Sequence, residues 1–146
     1  MKEVHIYIES SISWPKKGDC IVGIIFADND DEHTKTIFGQ VKNASANLAT
    51  LIAVKKSLYY CDFFHTINFH LSNSYVASSF DRLAAWELKD YKTSRGEDIK
   101  YLEEWKSISE MIKGKEINIY LDQFNGYYRW LKNECITRAE KHGFIL

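Results

Sequence analysis

A switch in hydrophobic period near residue 44 constrains this fold more than any other feature of the sequence. Before it, Val4, Ile6 and Ile8 alternate with His5, Tyr7 and Glu9, a period of two that puts one apolar row on one face of a strand. Residues 21–27 form a short apolar run and residues 36–41 a further β-rich stretch, with a polar hairpin loop expected at 28–32 between them. After the switch, Leu48, Leu51, Ile52 and Leu58 fall on helical spacing across residues 44–60. Residues 66–71 read as a strand, and Val76, Phe80, Leu83 and Ala84 mark a second helix. A polar passage at 89–97 follows. Leu102, Trp105, Ile108 and Ile112 then mark a third helix, with Asp98 expected as its N-cap and Gly114 as its stop. Residues 116–121 alternate as a last strand. Residues 127–142 form a terminal helix carrying Leu131, Cys135 and Ala139.

The order β-β-β-α-β-α-α-β-α predicts an α/β fold: one five-stranded mixed sheet, three strands antiparallel and two reached by helical crossovers, with helices on both faces. No repeat, low-complexity tract or linker divides it, so residues 1–146 are expected to form a single domain, large enough to bury a core. The net charge of -1 leaves no overall basic field for nucleic acid, so any such contact needs a local patch. Cys20, Cys61 and Cys135 form no CxxC and are expected to be free thiols. With no leader-like start and no bilayer-length apolar stretch, a cytoplasmic protein without membrane contact is expected. Trp86, Tyr91, Trp105 and Trp130 are expected to anchor helix packing, whereas Tyr127 and Tyr128 are expected to be exposed. His5, His33 and His142 have no partner that the pattern reveals, and no GxSxG, HExxH or phosphate loop is present.

Several segments, in matching order, resemble the ribonuclease H family. Val4-His5-Ile6-Tyr7-Ile8-Glu9-Ser10-Ser11 resembles its first strand, and Asn43-Ala44-Ser45-Ala46-Asn47-Leu48 its entry to the first helix. Ser72-Asn73-Ser74-Tyr75-Val76 resembles the turn after its fourth strand. Tyr91-Lys92-Thr93, Ile99-Lys100 and Trp105 match a further spacing, and Glu134-Cys135 with Ala139 fits the terminal helix. The resemblance spans nearly the whole chain. It implies an RNase H-like sheet of order 3-2-1-4-5. It also implies cleavage of the RNA strand of an RNA–DNA hybrid by two divalent ions about 3.5–4 Å apart, held by four acidic residues.

Carried over by position, those acids stand at Glu9, Asn47, Ser72 and Ile136, and a loop histidine that assists catalysis stands at Asn125. Hard cations need oxygen ligands that also balance their charge. Asn and Ser donate oxygen without charge, Ile136 donates nothing, and Glu9 is one methylene longer than Asp. The leading expectation is therefore a catalytically inactive RNase H-like protein, a pseudoenzyme that keeps the scaffold to bind nucleic acid or a protein, with no cofactor. One alternative is a divergent nuclease whose site is rebuilt for Mg²⁺ or Mn²⁺ on Glu9 and Asp122, near Asn73 and Glu140. Another is a regulatory protein-interaction domain without nucleic-acid affinity. Weak backbone contacts to an RNA–DNA hybrid would come from Lys16, Lys17, Asn43, Ser74, Lys89, Lys92, Arg95 and Lys100. Glu87, Asp90, Glu97 and Asp98 offset much of that charge. The plainer reading makes Lys16 and Lys17 a solvated loop and Asn43 a helix cap.

Overall fold

In the computed structural model, which describes residues 2–28, 34–121 and 126–146, five strands share one sheet. They are β1 (Glu3–Ser10), β2 (Lys17–Ala27), β3 (Thr34–Ser45), β4 (Thr66–Leu71) and β5 (Glu116–Leu121). Their order is β3-β2-β1-β4-β5. β1, β2 and β3 are antiparallel neighbours, while β4 runs parallel to both β1 and β5. This is the mixed order that the resemblance implies. The expected hairpin loop lies, beyond Asp28, outside the described residues.

Alternation along the strands decides which face each helix covers. Val4, Ile6 and Ile8 join Phe69 and Leu71 in the main core, beneath α1 (Ala46–Tyr60) and α4 (Leu102–Met111). Trp105 is fully buried there, with its ring 5.4 Å from Phe80 and 5.6 Å from Trp86. The opposite face takes α5 (Tyr128–Lys141), which packs on β2 and β1. Ile21, Cys135 and Ala139 form a small second core under it. A Cβ at Gly23 would lie 2.7 Å from Leu131 Cδ1 and 2.8 Å from Cys135 Sγ, so the helix sits directly on the backbone of β2. Gly23 pairs with Glu9, and α5 therefore crosses the sheet beside that residue.

The polar positions of β1, β4 and β5 lie on this same face. Asn118 Nδ2 donates to Asn68 Oδ1 at 3.0 Å, and Asn68 Nδ2 donates to Glu3 Oε1 at 2.8 Å. The rings of Tyr7 and His70 stack at 4.3 Å, and those of His70 and Tyr120 at 4.9 Å. His5 Nδ1 lies 2.9 Å from His70 Nε2, so His5 gains a partner 65 residues away.

Several local expectations are corrected. β3 runs on to Ser45, whose Oγ caps α1 by accepting from Leu48 N. Asn43 is no cap: it stands in β3 with φ 49°, and its N–H donates to Asp19 Oδ1 at 2.9 Å. The second helix is broken into α2 (Ser74–Ser79), a 3-10 turn (Phe80–Arg82) and α3 (Leu83–Leu88). The Ser78 and Ser79 hydroxyls both donate to the Tyr75 carbonyl, a local competition that bends helices. Asp98 does not cap α4. It pairs with Lys92, and the N-cap is Tyr101 in the left-handed region at φ 59°. Tyr127 and Tyr128 are partly buried rather than exposed, with Tyr127 4.7 Å from the Tyr7 ring, whereas Trp130 is half-exposed instead of anchoring the core. All three cysteines are free and buried. Burial pushes the Cys20 thiol up to about 11 and those of Cys61 and Cys135 up to about 12. Among the described residues, no helix is long and apolar enough to cross a membrane.

Candidate functional site

The parallel register of β1 and β4 pairs Ile8 with Leu71, so both chains leave the sheet side by side. Glu9 and Ser72, the next residues, therefore meet: Ser72 Oγ donates to Glu9 Oε1 at 3.0 Å. The first turn of α1 brings Asn47 to the same end. Asn73 caps α2, its Oδ1 accepting from Val76 N at 2.9 Å, and its Nδ2 donates to Asn47 Oδ1, also at 2.9 Å. Across from them, Lys132 of α5 donates from Nζ to the Ser10 carbonyl at 2.6 Å. All five side chains line one cavity of about 480 Å³, with Trp14 on its wall.

Glu9 is 6% exposed. Burial pushes its carboxyl up to about 7, while the hydrogen bond from Ser72 and then the field of Lys132 pull it down. Glu9 is the one carboxylate in the described lining, and Lys132 the one ammonium. Two hard divalent ions about 3.5–4 Å apart need several carboxylate oxygens. This donor set, one carboxylate with an ammonium nearby, does not fit them. Among the described residues, no group of three or more His, Cys, Asp or Glu side chains is placed to hold a metal ion.

No family model matches the chain. A Ribonuclease H from Wolbachia sp. subsp. Drosophila simulans (strain wRi) is 28% identical over 133 residues, covering 90% of this chain and 83% of that protein. The solution structure of the PFV RNase H domain superposes with a TM-score of 0.73 at 18% identity, covering 97% of this chain and 94% of that one. The chain is ribonuclease H-like. The foamy viral protease-reverse transcriptase solved in complex with RNA/DNA hybrid also aligns, with a TM-score of 0.72 at 19% identity, over 99% of this chain and 20% of that one.

In this ribonuclease H-like chain, Glu9, Asn47 and Ser72 share the cavity, but Ile136 is partly buried on α5 and is not part of the lining. Lys132, one helical turn earlier, reaches the site instead. Glu140 is exposed, and Asp122 and Asn125 lie outside the described residues. Of the basic and polar candidates, Ser74 lines the cavity. Lys16 and Lys17 are exposed at the same sheet end, where Lys17 pairs with Ser45 and Lys16 donates to the Leu146 carbonyl. Lys89, Lys92, Arg95 and Lys100 are exposed between α3 and α4. That segment meets the site through Tyr101, whose hydroxyl is 3.0 Å from Ser45 Oγ and whose ring is 6.2 Å from that of Tyr75. Sequence reasoning missed Lys132 and Trp14. The i, i+4 spacing of Lys132 and Ile136 was the available signal for the first. Trp14, 82% exposed in an irregular segment, carried none.

Proposed function

We propose that this chain is a ribonuclease H-like binding protein without metal-dependent cleavage, and that its ligand is nucleic acid held by the backbone at the Glu9 end of the sheet. One observation carries the reading: three of the four positions matching the family's acids, Glu9, Asn47 and Ser72, are tied up in Glu9–Ser72 and Asn47–Asn73 hydrogen bonds. Each pair gives an acceptor oxygen at these positions a protein donor in place of a cation. A further support is the fold neighbour solved with an RNA/DNA hybrid. A second reading, docking of a protein, is favoured by an aromatic patch at the other end of the sheet. Tyr59 is 75% and Phe63 67% exposed there, beside an apolar cavity of about 410 Å³.

The test is titration of RNA–DNA hybrid, duplex and single strands at low and moderate salt, with a parallel cleavage assay in Mg²⁺ and Mn²⁺. Weak, salt-sensitive binding without sequence preference and without cleavage is expected. Cleavage abolished by Glu9→Gln would promote the divergent nuclease with Mg²⁺ or Mn²⁺. Absence of binding to every strand at low salt would leave the protein partner.

A further inference from the structure

A pocket with one carboxylate in its described lining is poorly made to hold divalent ions, but a phosphate ligand there still needs positive charge. The described lining contains one such group, Lys132. Its placement follows from the packing of α5. Gly23 lets that helix lie against β2 at the position opposite Glu9, and Leu131 and Cys135, on either side of Lys132 in sequence, make the contact. The side chain, partly buried, extends to the carbonyl of Ser10, adjacent to Glu9 in the chain. An ammonium has three donors, and the Ser10 carbonyl takes one.

We propose that Lys132 supplies the cation of this pocket: its ammonium, anchored on the Ser10 carbonyl beside Glu9, stands in place of a divalent ion and receives a phosphate oxygen of a nucleic-acid backbone. The phosphate part rests on the nucleic-acid reading above; the replacement of the ion does not. Glu9 and Lys132 leave the described lining formally neutral, unlike the strongly anionic cage that two hard cations require. The rest of the wall suits a sugar-phosphate chain. Ser74 offers a hydroxyl, and Trp14 offers an exposed ring on which a base or sugar can stack.

Two measurements on the intact chain test this. The first follows Mn²⁺ binding by electron paramagnetic resonance, with no nucleic acid present. Wild type should not saturate. Asn47→Glu/Ser72→Asp, which restores acids to two positions, should bind Mn²⁺ at least about tenfold more tightly when Lys132→Gln is added, because the fixed ammonium repels the ion. The second follows a labelled RNA–DNA hybrid by fluorescence anisotropy. Wild-type affinity should be no higher in Mg²⁺ than in EDTA at matched ionic strength. Lys132→Gln should weaken it about tenfold and make the salt slope shallower by about 0.9, the share of one phosphate contact. Lys132→Arg should retain most of it.

Saturable Mn²⁺ binding by wild type that Glu9→Gln removes would overturn the proposal. So would hybrid binding that requires Mg²⁺, or an affinity indifferent to Lys132→Gln. If no strand binds wild type, the nucleic-acid reading and the phosphate part fall together. The Mn²⁺ series still decides the replacement of the ion, which fails if removing Lys132 leaves the affinity of the rebuilt site unchanged.

Discussion

Glu9 ties the stability of this molecule to pH. Its carboxyl is buried, with Ser72 as its hydroxyl donor and Lys132 acting on it only through its field. Folding raises its affinity for a proton, from an ordinary value of 4.5 to about 7. The sign follows by linkage: the folded state binds the proton more tightly than the unfolded state. Its contribution is fully present below 4.5, declines as pH rises, and is lost above about 7. The loss is at most on the order of 3 kcal/mol. Glu9→Gln keeps an oxygen for Ser72 to donate to and removes the charge. We predict that the variant melts several degrees above wild type at pH 8, about 1–3 kcal/mol of stability, and close to wild type at pH 4.5. Thermal denaturation at both values checks this; a difference that does not change with pH would exclude burial of Glu9 as its source.

At the level of elements, the contact of α5 with β2 determines where Lys132 stands. Gly23→Ala adds a methyl group within 2.8 Å of both Leu131 and Cys135, atoms of the helix's buried stripe. The helix must lift or its side chains must leave their rotamers, at about 1–3 kcal/mol. Because Glu9 pairs with Gly23, the displacement falls beside the cavity. We predict a lower melting temperature together with faster amide exchange in α5, while the main core under α1 and α4 keeps its protection. Unchanged exchange in α5 would show that the helix does not depend on this contact. The four-residue spacing from Lys132 to Ile136 was visible in the sequence, but which of the two faces Glu9 was not, since that depends on how closely α5 approaches the sheet.

For the molecule as a whole, charge limits what it can hold. The net charge is -1, and the cations read as backbone contacts are divided between the start of β2 and the segment at 89–100. Asp98 occupies the ammonium of Lys92 within that segment. With about four phosphates neutralised, log K for hybrid should fall with log salt at a slope of roughly -3 to -4. Asp98→Asn frees Lys92 and removes a repelling charge. It should tighten binding about two- to fivefold at low salt and steepen the slope by up to about 0.9. The same titrations read both effects. Weaker binding in this variant would mean that the Lys92–Asp98 pair holds the segment in its binding shape rather than masking it.

The sequence by itself determined the elements and their faces. Val4, Ile6 and Ile8 had to share one side of a strand, and the change to helical spacing after residue 44 turned the chain from hairpins to crossovers. With few right-handed ways to connect those elements, one mixed five-stranded sheet followed, and the resemblance supplied its strand order. The segments around Glu9, Asn47 and Ser72 were legible because each is a short local pattern. What only the tertiary structure decided is the set of relations between residues distant in the chain. His5 meets His70, and Glu9 meets Ser72, because β1 and β4 pair in one particular parallel register. Lys132 reaches Ser10, 122 residues away, because α5 rests on a glycine. Asp98 looked like a helix cap, yet it pairs with Lys92, and α4 starts instead after Tyr101 with its left-handed backbone. Hydrophobic period is carried by neighbouring residues and can be read along a line. Register, close approach and the choice between competing polar partners are settled by packing, which no local pattern contains.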